Sequence, residues 1–79
     1  MTKKQITKIL IEKIQLCLKN KRYASIGVYY NLLIVISYKG CTMPTKTYNK
    51  YFSLLFDTEL FNEIKDYMIK NKLFTGGKR

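Results

Sequence analysis

Thr42, Met43, Pro44, Thr45, Lys46, Thr47, Tyr48, Asn49, Lys50 and Tyr51 lie between Gly40 and the apolar run Phe52 to Phe56. The chemistry open to them is recognition of an anion, because Thr, Lys and Asn donate to phosphate oxygens and can reach base edges. Thr42 suits an N-cap, and Pro44 is tolerated in a first turn where its missing N–H has no intrahelical partner. A helix over 43–55 is predicted. Its Tyr48, Phe52 and Leu55 recur at the i, i+4, i+7 spacing of a buried stripe, which turns Thr45, Lys46, Thr47, Asn49 and Lys50 outward.

Charge strengthens that reading. The chain of 79 residues carries a formal net charge of +10, enough to attract any polyanion at moderate ionic strength. Residues 1–50 hold ten cations against the single anion Glu12, and residues 51–79 are nearly balanced. Lys4, Lys8, Lys19, Lys21, Arg22, Lys39, Lys46 and Lys50 are therefore the candidate phosphate contacts, carried on one side of the fold. The plainer alternative is a lysine-rich protein with ordinary surface helices.

Other chemistries find few residues to use. The chain has no His, its acids Asp57, Glu59, Glu63 and Asp66 have no opposed carboxylate, and Gly76-Gly77-Lys78 lacks the strand and helix of a phosphate loop. No enzyme is expected. Cys17 and Cys41 alone cannot assemble a four-ligand zinc site in one chain, so no metal or cofactor is expected either. Cys17 is assigned to the core and Cys41 to a turn. The N-terminal segment alternates Lys with isolated apolar residues, and the run Leu32 to Ile36 is too short to span a bilayer. A cytoplasmic, intracellular protein without a membrane partner is the expectation.

Four helices are predicted to position the basic residues, near 4–20, 25–38, 43–55 and 58–73. In the first, Ile6, Ile9, Leu10, Ile14, Cys17 and Leu18 form the apolar stripe, with Lys4, Lys8, Gln15 and Lys19 opposite. The second has Ser25 as N-cap. Its β-branched and aromatic residues would also suit a strand, but the unbroken apolar run defeats alternation, and Tyr29, Leu32, Leu33 and Ile36 fit a helical stripe. Gly40 is placed to end it in the left-handed conformation. The fourth starts at the N-cap Asp57, with Phe56 stapled onto Phe61, and buries Leu60, Phe61, Ile64, Met68 and Leu73. Residues 1–74 thus form one mostly α-helical domain, and 75–79 a flexible basic tail. A core this small leaves a narrow stability margin, which a homodimer or a larger protein partner would widen.

Of seven tyrosines, Tyr23, Tyr38, Tyr48 and Tyr51 lie close to a cation. Aromatic faces among cations suit single-stranded nucleic acid, with stacking of about 1 to 3 kcal/mol per base, and Tyr38 and Tyr51 are taken as candidate contacts. Tyr29, Tyr30, Tyr48 and Tyr67 otherwise read as helix-interface residues with hydroxyls reaching water.

Four short helices with a tight turn before a Thr/Lys/Asn-led helix resemble the helix-turn-helix superfamily, with a minimal wing as a variant. The resemblance covers residues 5 to 74 at the level of pattern. It implies that residues 43–55 act as a recognition helix led by Thr45, Lys46, Thr47, Asn49 and Lys50, in a DNA-binding protein, single- or double-stranded, DNA before RNA, of the kind that serves as a replication or mobile-element accessory or regulator. The alternative is a subunit or inhibitor that binds an acidic protein.

Overall fold

Among the described residues, the apolar periodicity of the chain is realised in four helices and two very short strands. The computed structural model describes residues 1–75 in the order α1 (Lys3–Lys19), α2 (Tyr23–Ser37), β1 (Met43–Pro44), α3 (Thr45–Leu55), α4 (Thr58–Lys70) and β2 (Phe74–Thr75). The predicted tail lies outside the described residues except for Thr75, which is paired in β2. No helix among the described residues is long and apolar enough to cross a membrane.

α1 begins at Lys3, where Thr2 and Gln5 close a capping box. The Thr2 Oγ1 accepts from the Gln5 amide at 3.2 Å, and the Thr2 amide donates to the Gln5 Oε1 at 2.9 Å. Its C-terminus is a Schellman motif: Arg22 N–H donates to the Cys17 carbonyl and Lys21 N–H to that of Leu18, with Lys21 left-handed at φ 58°. This turn leads straight into α2. The Arg22 carbonyl accepts from Ile26 N–H, so the helix is under way before Ser25, and the predicted N-cap there is replaced by Arg22 without a side-chain cap. The segment that could have been a strand is helical throughout.

The connection from α2 to α3 differs most from expectation. Met43 precedes a proline, whose ring crowds the residue before it out of the α region. Met43 and Pro44 are therefore extended, Pro44 takes the N-cap position, and Thr42 does not cap α3. Gly40 has the expected positive φ, 85°, but in the loop, three residues beyond Ser37. β1 pairs in parallel with β2, Met43 opposite Phe74 and Pro44 opposite Thr75, and Met43 N–H donates to the Leu73 carbonyl at 2.9 Å. The two strands close the α3–α4 pair at its base. Being parallel, they form no hairpin wing.

α3 ends at Phe56, left-handed at φ 54° with its N–H on the Phe52 carbonyl. That backbone turns the ring into solvent, 81% exposed, so the predicted staple onto Phe61 does not form. Phe61 packs instead against Tyr48 and Phe52, with ring centroids 5.5 and 5.6 Å away. Asp57 occupies the N-cap position of α4 without capping it. Its carboxylate serves α1 and α2 instead: Lys13 Nζ lies 3.4 Å from Oδ2 and the Tyr29 hydroxyl donates to the same oxygen at 3.3 Å. α4 closes like α1, with Leu73 N–H on the Met68 carbonyl and Lys72 left-handed at φ 57°, which ends the helix at Lys70 and aims Leu73 toward β2.

The core joins Ile6, Leu10 and Cys17 of α1, Val28, Tyr29, Leu32, Val35 and Ile36 of α2, Met43, Tyr48, and Leu60, Phe61, Ile64 and Met68 of α4. Leu18, assigned to the stripe of α1, is exposed, since Cys17 takes the inward position at that turn. Cys17 and Cys41 are free thiols, the first buried and the second half-buried.

Two predictions follow from backbone and burial. Left-handed backbone costs an L-residue about 1 to 2 kcal/mol, a cost glycine escapes, so Lys72→Gly should raise the urea midpoint by an amount equivalent to about 1 kcal/mol without changing the denaturant slope. A lowered midpoint would show that the Lys72 side chain itself holds the turn. The second concerns alkaline pH. Burial first, and the Asp57 charge second, push Tyr29 up to about 12, and burial likewise pushes Tyr48 well above the ordinary tyrosine range. The folded chain keeps protons that the unfolded chain releases near pH 10. The stabilisation is therefore complete below about pH 10 and is lost as pH rises toward about 12. Circular dichroism with tyrosinate absorbance should show loss of helix accompanying the last tyrosine to ionise, and Tyr29→Phe should make the alkaline decline shallower while lowering stability at neutral pH.

Candidate nucleic-acid interface

The orientation of α3 decides which of its polar residues are available. Tyr48 is fully buried, so the opposite side of the helix presents Lys46, Asn49, Lys50 and Ser53, all exposed. Lys46 and Lys50 stand one turn apart, with Asn49 in the adjoining row. Thr45 and Thr47 are only half-exposed. They flank the Tyr48 stripe, since the helix starts at Thr45, so the expected leading end of five displayed residues reduces to Lys46, Asn49 and Lys50, with Ser53 added.

On α1 the expected outer row is present: Lys4, Lys8, Gln15 and Lys19 are exposed, opposite Ile6, Leu10 and Cys17. Lys4 and Lys8, with Lys3, line an open groove of about 700 Å³ together with Thr7, Ile11, the acid Glu12 and Ser37 at the end of α2. Lys21 and Arg22 are exposed on the α1–α2 turn, and Tyr38 and Lys39 on the loop after α2. The candidate cations thus occupy α1, α3 and two connections. Among the described residues, Lys13 is the one lysine within 4 Å of a side-chain carboxylate, and none of the candidate phosphate contacts is so paired.

The tyrosines divide differently from expectation. Tyr38 is 64% exposed and is free to stack. Tyr51 is half-buried, with its hydroxyl accepting from Asn31 Nδ2 at 2.9 Å, so it ties α3 to α2 and is poorly placed as a stacking platform. Tyr48 is enclosed, its ring 5.3 Å from that of Phe74 and its hydroxyl donating to the Phe61 carbonyl. Tyr30, assigned to a helix interface, is 54% exposed, and Tyr23 is 65% exposed. The signal that could have found Tyr30 is its place directly opposite the Leu32–Val35–Ile36 side of α2.

α4 provides a contrast. Its exposed positions include Glu59, Glu63 and Asp66 together with Lys70, a mixed surface with no excess of positive charge. Comparison with protein-family profiles, with curated protein sequences and with solved structures returns no match to this chain.

Proposed function

We propose that this protein binds nucleic acid, duplex DNA before RNA, with α3 as the reading element and without a chemical step. The observation that carries this reading is the outward face of α3, where Lys46, Asn49, Lys50 and Ser53 are exposed and neither lysine is paired to a carboxylate. Lys46 and Lys50 would neutralise phosphates, while Asn49 has the amide that pairs with an adenine edge. An α-helix fits the major groove of B-form DNA, whereas the deep, narrow major groove of A-form RNA excludes one.

Lys4, Lys8, Lys19, Lys21, Arg22 and Lys39 supply sequence-independent attraction from α1 and the connections. The tight turn of a helix-turn-helix does not precede α3, which the segment 38–44 separates from α2, and the closely spaced α3–α4 pair would put α4 in the second, groove-reading position. The acids of α4 would be repelled by phosphates, so α3 is the member that faces the nucleic acid. Such a protein suits a regulatory or replication-accessory role that relies on binding alone.

Fluorescence anisotropy with duplex DNA, single-stranded DNA and RNA of one sequence tests the reading. If six to eight phosphates are neutralised, log K should fall with log salt at a slope of roughly −4 to −7, shallower for single strands. The double variant Lys46→Ala, Lys50→Ala should bind more weakly with a slope shallower by about two units. Asn49→Ala should relax sequence preference and leave the slope alone. Lys70→Ala, on the mixed surface of α4, is the matched control. A slope near zero removes nucleic acid as the partner, and a Lys70→Ala loss equal to that of Lys46→Ala moves the interface off α3.

A further inference from the structure

α2 is the helix of this protein with no charged residue, from Tyr23 to Ser37. A helix apolar on all sides is normally covered on all sides, yet here only one side is. Val28, Tyr29, Leu32, Val35 and Ile36 enter the core, and the opposite side carries Tyr23, Gly27, Tyr30 and Ile34 in one line at i, i+4, i+7 and i+11. Tyr23 and Tyr30 are more than half exposed, at 65% and 54%. Gly27, between them, has no use within the chain: a Cβ added there would meet nothing within 4 Å, and its φ is not positive. Glycine inside a helix is destabilising relative to alanine, so folding of the single chain does not account for it.

We propose that this line is a homodimer interface in which two α2 helices cross at Gly27, with Tyr23 and Tyr30 of each copy packed against the other helix. Charge selects a second copy as the occupant. Two molecules of net charge +10 repel wherever their lysines are brought together, which disfavours the α1 row of Lys4, Lys8 and Lys19 and the α3 face of Lys46 and Lys50. The outer side of α2 from Gly27 to Ile34 carries no charge, so two copies meet there with the fewest like charges opposed, Lys21 and Arg22 standing at its N-terminal end. A nucleic acid lying along the same line would find cations only at its ends, Lys21 and Arg22 before Tyr23 and Lys39 after Tyr38, with none between to hold its phosphates. Depletion of charge with enrichment of tyrosine is the composition of an interface core, and glycine at the crossing lets the helices approach closely about a twofold axis, the commonest symmetry of soluble oligomers.

The patch is small. A helix of 15 residues is about 22 Å long, and contact through one such face falls at the low end of specific interfaces, so dissociation constants on the order of tens of micromolar are expected.

Sedimentation equilibrium from about 5 to about 500 micromolar brackets that affinity, and the wild-type chain should pass from monomer to dimer across the range. Gly27→Glu enters open space within one chain and improves helix propensity, so it should keep or raise Tm while remaining monomeric. Tyr30→Ala, on the same line, should weaken dimerisation at least tenfold. Leu54→Glu, at an exposed apolar position on α3, should dimerise as the wild type does. The proposal is overturned if the wild type stays monomeric throughout, or if Gly27→Glu and Tyr30→Ala both dimerise normally. It is equally overturned if the wild type is monomeric and Tyr30→Ala loses affinity for single-stranded nucleic acid, which would assign the line to stacking.

Discussion

The hydrogen bond from the buried Tyr48 hydroxyl to the Phe61 carbonyl fixes how α3 lies on α4. A phenol taken out of water without a partner costs about 1 to 3 kcal/mol. The helices therefore keep the register that satisfies it. The same ring stands edge-on to Phe74, and Phe74 pairs through β2 with Met43, just ahead of α3. The result is a closed circuit, β1 to α3 to α4 to β2 and back, through one side chain. Because Tyr48 defines the inward direction of α3, it also defines the outward one, and Lys46, Asn49 and Lys50 are displayed as a consequence of a core contact.

A second constraint ties this unit to the α1–α2 pair. Asp57 stands in the turn between α3 and α4, and its Oδ2 is shared by Lys13 of α1 and Tyr29 of α2. A carboxylate that could have capped α4 is used across three helices instead. The turn is also where Phe56 is held left-handed and exposed, a combination that local preferences would not select.

The helices were legible in the sequence because periodicity reports packing faces. Their ends were less so, because ends depend on backbone geometry that the apolar pattern does not encode. Lys-Asn-Lys closes both α1 and α4, at residues 19–21 and 70–72, with the third residue left-handed each time. Without a glycine to mark them, these stops are hard to recognise. Pro44 shows the converse, a residue correctly allowed near a helix start whose stronger effect falls on Met43 before it. In the candidate interface, Lys46, Asn49 and Lys50 were legible as soon as Tyr48 was taken as buried. Thr45, Thr47 and Tyr51 were placed less well, because partial burial beside a stripe depends on the neighbouring element, here α2 through Asn31. Tyr23 and Tyr30 were obscured by the uniform hydrophobicity of α2, in which an inward and an outward aromatic look alike.

The distribution of charge divides the surface into distinct regions. Apart from Lys13, which is paired with Asp57, the cations of α1 and α3 are outward and without a carboxylate within 4 Å, the acids of the second half are gathered about α4, and α2 is neutral. Tyr51 faces α2 through Asn31, which leaves Lys46 and Asn49 on the far side of α3 from it. Pairing of two chains through α2 would thus leave both α3 faces uncovered. On the proposed reading, two such faces on one particle would engage one polyanion with an effective concentration set by the dimer geometry, and association through a neutral strip would double the two exposed lysines that each α3 offers.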